Sequence, residues 1–151
     1  LFKLYEKRPE EAEVILALAN FHDDYSFTGL LDSERERQNR ARAKELYQKY
    51  LDKNASDDAI RTRYGRLLLR MGDNAEAIVQ FEQAFTHQHS ATSAAWLAEA
   101  YFRGNHYDAI RRMAGELMHH YPDTLKEMEA SVRHSLQSWI GNPLRPAQEE
   151  V

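Results

Sequence analysis

The pattern that most restricts the fold is a pair of apolar helical stripes in residues 64–85, YGRLLLRMGDNAEAIVQFEQAF, separated by one glycine. In the first stripe, apolar residues recur at steps of three and four and therefore share one helix face. Its members are Ile60, Tyr64, Leu67, Leu68 and Met71. The second stripe mixes small and aromatic residues: Ala77, Ile78, Phe81, Ala84 and Phe85. Gly72 suits the left-handed end of a helix, and Asp73 with Glu76 has capping spacing, so we expect two antiparallel helices joined by a tight turn.

The same pattern recurs on both sides at a nearly constant interval. Upstream, Ala43, Tyr47 and Tyr50 stand 34 residues before Ala77, Phe81 and Ala84. Downstream, Leu97, Ala98 and Tyr101 precede a turn at Gly104, and Ala109, Met113 and Glu116 then repeat the second stripe at a spacing of 32. A repeated phase of this kind predicts helix pairs stacked in series.

This plan resembles the tetratricopeptide repeat, a helix–turn–helix unit of about 34 residues. The resemblance covers roughly residues 33–122. In the central unit the residues that match the family pattern are Gly65, Leu68, Gly72, Ala77, Phe81 and Ala84. It implies an all-α superhelix of about three helix pairs, closed by a helix with a polar outer face. In one domain we expect a divergent first pair at 9–53 with an inserted loop at 22–32, a central repeat at 57–88, a third repeat at 90–121, a capping helix at 123–140 and a flexible tail at 141–151.

Composition agrees with an all-α fold and excludes several other classes. Only six glycines and four prolines interrupt the 151 residues, and no cysteine is present for disulfides or thiolate metal sites. The net charge of −4 does not predict nucleic-acid binding, and no apolar run is long enough to span a membrane. Because Leu1 stands where a methionine would begin a complete chain, we expect a fragment or processed form, with room for an upstream signal or anchor. The compartment stays open, with the cytoplasm favoured over a periplasmic or membrane-associated location.

Local signals place several helix ends. Pro9 predicts a first helix running to about Phe21. Capping spacings predict helix starts at Ser33 with Glu36, at Ser90, and at Thr124 with Glu127. The last start leads into a narrow apolar stripe formed by Leu125, Met128, Val132, Leu136 and Trp139 or Ile140.

The resemblance also implies a binding surface, because the first helix of each such pair lines the concave face. The matching positions are Thr62, Arg66, Leu69 and Arg70 in the central repeat and Ala95, Glu99, Phe102 and Arg103 in the third. Arg66 and Arg70 lie one turn apart and could take carboxylates bidentately. The alternative is that both arginines only solvate the helix and that Leu69 belongs to the core. The asparagines and lysines with which family members clamp a C-terminal carboxylate are missing, so we do not expect that ligand.

Candidate chemistry elsewhere is weak, and we expect neither a metal nor a cofactor. The paired histidines, His87 with His89 and His119 with His120, have no neighbouring acid or thiol to complete a site. The run His22-Asp23-Asp24 resembles a metal-dependent hydrolase motif but has no visible further ligands. A basic run is interleaved with glutamates and predicts a solvated helix; its members are Arg35, Arg37, Arg40, Arg42 and Lys44.

The sequence therefore predicts a non-catalytic scaffold that binds a protein or peptide partner, or a second copy of itself, within a larger assembly. The alternative is an accessory or regulatory domain of a longer enzyme or membrane-anchored protein whose chemistry lies outside this chain.

Overall fold

A computed structural model describes residues 1–140, apart from the side chains of Ser131, Ser138, Trp139 and Ile140. The predicted all-α class is confirmed, because the described residues form helices and no strands. The helices are α1 (Phe2–Lys7), α2 (Ala12–Asp24), α3 (Ser33–Lys53), α4 (Asp58–Met71), α5 (Asn74–His87), α6 (Ala91–Arg103), α7 (Tyr107–His120), α8 (Pro122–Glu127) and α9 (Ala130–Ile140). Within the described range, no helix combines the length and apolar character that crossing a membrane requires. The tail predicted for 141–151 lies outside the described residues. The side chains of Trp139 and Ile140, the last members of the final stripe, are also not described.

The chain divides into two compact units, and the boundary falls between Asp73 and Asn74. It therefore lies inside the range predicted for the central repeat. The first unit holds α1–α4, and the second holds α5–α9 over the described residues.

In the first unit each helix packs on its neighbour in the chain, α1 on α2, α2 on α3 and α3 on α4. The buried apolar side chains recur at helical spacing, as predicted; they include Ile15, Leu18, Ala43, Leu46, Tyr47, Tyr64, Leu67 and Leu68. At the edges of the predicted stripe, Ile60, Met71 and Tyr50 are partly exposed. The Tyr50 hydroxyl donates to the carboxylate of Asp57 at 2.8 Å, and Asp57 in turn caps α4 by accepting from the Ile60 amide.

The first three helices of the first unit each differ from the prediction. The short helix α1 is not predicted, and α2 begins at Ala12 rather than Pro9 and extends beyond Phe21 to Asp24. The predicted cap Ser33 is wrong: Asp32 accepts from the Arg35 amide, and Ser33 is the first helical residue. Asp32, three residues after the positive-φ Gly29, offers a charged acceptor to the exposed amides at the positive end of α3.

In the second unit α5 packs on α6, α6 on α7, and α7 on both α8 and α9. The second stripe is buried throughout, as predicted, and so are Leu97, Ala98, Tyr101 and Met113, whereas Ala109 is partly exposed. The predicted cap at Ser90 is confirmed, because its hydroxyl accepts from the Ser93 amide at 3.2 Å.

The two glycine turns are built differently. Gly72 has φ +84°, as its predicted left-handed role requires, and the amides of Gly72 and Asp73 bond back to Leu69 and Leu68. Gly104 has an ordinary helical φ of −87°, and the left-handed residue is Asn105 with φ +58°. The Asn105 and His106 amides then bond back to Phe102 and Tyr101 in the same pattern. The prediction of a turn at Gly104 is therefore one residue early.

The predicted capping helix is divided in two. The helix is interrupted at Met128 and Glu129, which lie between α8 and α9, and α8 begins at Pro122. The Thr124–Glu127 capping box is wrong, because the Thr124 hydroxyl donates to the His89 carbonyl at 2.6 Å instead of capping the helix. Two buried residues of the predicted stripe, Leu125 and Leu136, stand on either side of the interruption, and Met128 within it is also buried.

Candidate binding surfaces

The predicted groove residues of the first unit lie on α4 in unlike environments. Leu69 is only 4% exposed, which agrees with the alternative that it belongs to the core. Thr62 is partly exposed, and Arg66 and Arg70 are exposed one turn apart. The two arginines are thus the members of this set that present a charged group at the surface.

Arg70 binds a carboxylate of its own chain, that of Asp23 at the end of α2. Asp23 is 4% exposed, and its two oxygens receive hydrogen bonds from different arginines. Arg70 Nη2 donates to Oδ1, and Arg63 Nε donates to Oδ2 at 3.2 Å. Arg63 and Arg70 are seven residues apart and therefore on the same face of α4. A buried carboxylate held by two guanidinium groups is a satisfied charge, because each oxygen has a cationic donor.

Two further side chains complete the surroundings of Asp23. The Tyr47 hydroxyl of α3 lies 3.0 Å from Asp23 Oδ2 and 2.9 Å from Asn20 Oδ1. Burial, and then the negative charge of Asp23, raise the pKa of Tyr47 well above its ordinary value, so this hydroxyl stays protonated. Arg63 also donates to the exposed Asp24 at 2.6 Å. The side chains of the His22-Asp23-Asp24 run therefore form hydrogen bonds and ion pairs that connect α2 to α3 and α4.

The segment after α2 continues across the same face. We call residues 25–32 the strap. Within it, the ring of Phe27 lies under two guanidinium groups, that of Arg70 at 4.4 Å and that of Arg40 at 4.9 Å from the ring centroid. Arg40 also donates to the Ser26 carbonyl at 2.9 Å, and the Gly29 amide donates to Glu36 Oε1 at 2.6 Å. The strap is thereby fixed to α3 and α4 through arginine and glutamate side chains.

Sequence reasoning did not identify Asp23, Phe27 and Arg40 as parts of one site. Spacing along α4 shows that Arg63 and Arg70 share a face, and the two acids at 23 and 24 end an apolar helix. The pairing itself joins residues 40 and 47 positions apart, and such long-range partners have no local signal in one sequence.

Three of the four predicted groove residues of the second unit line a cleft between α6 and α9, and the fourth, Arg103, does not. The cleft has a volume of about 310 Å³ and is lined by Ala95, Ala98, Glu99, Phe102, Val132 and Ser135. The carboxylate of Glu99 accepts from Arg103 Nε at 2.6 Å, one turn away on α6. Apolar side chains thus form most of the cleft, with one ion pair on the same helix.

A second cavity of about 390 Å³ in this unit lies among α5, α6 and α7 and is more polar. The Tyr101 hydroxyl donates to Glu82 Oε1 at 2.6 Å, and burial together with this bond raises the pKa of Tyr101. Arg112 and Glu116 also line the cavity.

Side chains considered as metal ligands or as a basic patch have other partners. The ring of His89 stacks on Tyr121 at 3.9 Å, and His22 Nδ1 lies 2.7 Å from Asn39 Oδ1. In the described part of the chain, no three acidic or histidine side chains come together as metal ligands would. The basic run on α3 is matched by carboxylates: Arg35 by Asp32, Arg37 by Glu34, Arg40 by Glu36, Arg42 by Glu45 and Lys44 by Asp73.

Exposed apolar side chains concentrate in the first thirty residues. Six of the eight large ones found among the described residues lie there: Leu1, Phe2, Leu4, Tyr25, Phe27 and Leu30. Phe2 packs edge-on against Phe21 at 5.4 Å, and Phe21 contacts Tyr25 at 4.8 Å, so these rings form a continuous cluster. Contiguous exposed apolar surface of this kind is typical of interaction sites.

Comparison with known proteins gave no match to a family model, a curated protein or a solved structure.

Proposed function

We propose that the chain is a non-catalytic scaffold of the helical-repeat type that binds a segment of another protein. The cleft between α6 and α9 is the observation that carries this proposal. Two further features favour protein binding. Helices pack in series along the chain within each unit, and an aromatic cluster is exposed near the N-terminus.

The cleft suits an apolar side chain of an extended or helical partner segment. Ala95 and Ala98 contribute only small methyl side chains to the lining, and the half-buried ring of Phe102 supplies an apolar wall. A volume of about 310 Å³ is at the small end of binding pockets and accommodates one or two partner side chains rather than a cofactor. Glu99 and Arg103, which bond to each other, can exchange that bond for polar groups of the partner backbone.

The proposal is tested by filling the cleft. Peptides selected from a displayed random library on the wild-type chain are titrated against Ala95→Arg, whose long side chain occupies the cleft. We expect at least a tenfold loss of affinity, which corresponds to about 1.4 kcal/mol.

Thr92→Arg is the matched control, because Thr92 is exposed on the same helix and does not line the cleft. It adds the same charge and should change the affinity less than twofold. Selected peptides that bind Ala95→Arg as tightly as the wild type, or that lose affinity equally for Thr92→Arg, would contradict the assignment of the cleft.

A further inference from the structure

We infer that the polar cavity among α5, α6 and α7 is a second binding site, which takes a lysine or arginine side chain of a partner protein. The inference rests on the proposed scaffold function and adds a separate contact to it. No residue that lines this cavity also lines the α6–α9 cleft.

The floor of the cavity is apolar and suits the stem of a long side chain. It is formed by Phe85 of α5, Leu97 of α6 and Met113 of α7, each at most 5% exposed. Lysine and arginine lay their methylene groups along such a surface while the charged end stays near water. The volume of about 390 Å³ is at the small end of binding pockets and has room for one such side chain.

The rim of the cavity carries two carboxylates from different helices. Glu82 lies on α5 and Glu116 on α7, and both residues are exposed. Among the described residues, no cation forms an ion pair with either of them. Glu82 accepts its hydrogen bond from the neutral hydroxyl of Tyr101, at 2.6 Å, so its negative charge is not cancelled.

The Tyr101 hydroxyl indicates that the charged groups of the rim lie close together. Burial, and then the hydrogen bond to Glu82, raise the pKa of Tyr101; the charge of Glu116 adds to that rise, and the charge of Arg112 opposes it. All three charges are therefore near one hydroxyl. Two carboxylates against one guanidinium leave a net negative charge, which favours a cationic ligand over an anionic one.

An organic cation suits this lining better than a metal ion does. The described residues hold no group of three acidic or histidine side chains that could ligate a metal. A guanidinium or ammonium group has several N–H donors, and it can bond to a carboxylate while its stem covers the apolar floor.

The test uses short peptides that differ in one charge. Gly-Arg-Gly, Gly-Lys-Gly and Gly-citrulline-Gly, each acetylated and amidated, are titrated into the isotope-labelled chain, and the amide chemical shifts are followed by NMR. Citrulline has nearly the shape of arginine without its charge and is the matched control ligand. We expect saturable shifts in residues 82–86 and 112–116 with at least one cationic peptide, and binding of the citrulline peptide that is weaker by about threefold or more. The tighter of the two cationic peptides identifies the preferred cation.

Substitutions on the rim should change the affinity for that cationic peptide in opposite directions. Glu116→Gln removes an attractive charge and should weaken binding about threefold, whereas Arg112→Gln removes a repulsive charge and should strengthen it by about the same factor. Glu127→Gln is the matched control, because Glu127 is an exposed acid of the same unit that does not line the cavity, and the affinity should not change. Circular dichroism verifies that each variant keeps its helices.

Several results would overturn the inference. They are the absence of saturable shifts with both cationic peptides, equal binding of the citrulline peptide, equal affinities of Glu116→Gln and Glu127→Gln, and binding that is not strengthened by Arg112→Gln. Each of them would leave the result of the Ala95→Arg experiment untouched, because that substitution fills the other cleft.

Discussion

At the scale of single residues, the buried carboxylate of Asp23 is expected to contribute measurably to stability. It is buried, it accepts from Arg63 and Arg70, and it is the neighbour of the Tyr47 hydroxyl. Asp23→Asn keeps the shape but removes the charge, and it turns an amide N–H₂ toward the guanidinium groups. We expect the free energy of unfolding to fall by about 2 kcal/mol, because Arg63 and Arg70 lose their charged acceptor and a buried N–H₂ group is left facing a guanidinium donor. Urea denaturation measures this change.

Asp24→Asn is the matched control for that substitution. Asp24 is adjacent in the chain and pairs with the same Arg63, but its side chain is 64% exposed. Surface ion pairs contribute little, so the expected loss is within about 0.5 kcal/mol. If Asp24→Asn costs as much as Asp23→Asn, burial is not what makes the Asp23 interaction strong.

At the scale of helices, Glu10 ties the start of α2 to the end of α3. Its carboxylate accepts from Lys49 Nζ at 2.8 Å and also contacts Lys53. The hydrogen bonds from Lys49 and Lys53 lower the pKa of Glu10 from its ordinary value of 4.5 to about 2. The charged form is thus favoured in the folded state, so this contribution to stability is fully present above about pH 4.5 and is lost as pH falls through about 2.

The sign of that linkage gives a prediction for Glu10→Gln. Between pH 6 and pH 2 the wild type should lose more stability than Glu10→Gln in a series of urea denaturations, and 1 M NaCl should reduce the difference, because the pair is exposed and screened. Glu13→Gln, which removes an exposed carboxylate from the first turn of α2, should follow the wild-type pH dependence. A steeper loss for Glu10→Gln would contradict the direction of the pKa change.

Helices are also the scale at which the sequence was most informative. Apolar spacing predicted the buried faces of α4 and α5, because periodicity records which side of a helix meets the core. The left-handed Gly72 followed from its lack of a Cβ atom. The turn predicted at Gly104 is one residue early, because asparagine also tolerates the left-handed conformation and Asn105 adopts it. The break after α8 was missed because Met128 continues the apolar spacing through a residue that is not helical.

The candidate sites were predicted only in part, for a related reason. Arg70 was identified as exposed and able to bind a carboxylate, and it does so, but with Asp23 of its own chain. Glu99 and Phe102 lie together at one cleft, as neighbouring positions of one helix would. The residues that lie opposite them depend on the tertiary fold, such as the position of α9 across the cleft from α6, and local spacing does not specify that position.

At the scale of the whole chain, the order of packing predicts how stability is distributed. Within each unit the helices pack chiefly on their neighbours in sequence. In helical-repeat proteins, the class we propose for this chain, stability is close to a sum of local and nearest-neighbour contributions, and parts of the structure can open separately. A cavity made in one helix should therefore weaken that helix and the helices that pack on it most.

Leu18→Ala in α2 and Leu117→Ala in α7 make a matched pair for this prediction, since each removes a side chain that is at most 1% exposed. Each should cost about 3 kcal/mol. Native-state hydrogen exchange should show the larger loss of protection in α2 and α3 for Leu18→Ala. For Leu117→Ala the larger loss should be in α7 and in the helices that pack on it, α6, α8 and α9. If both substitutions instead lower protection equally in all helices, the chain opens as one cooperative body, and stability is not distributed helix by helix as the packing order predicts.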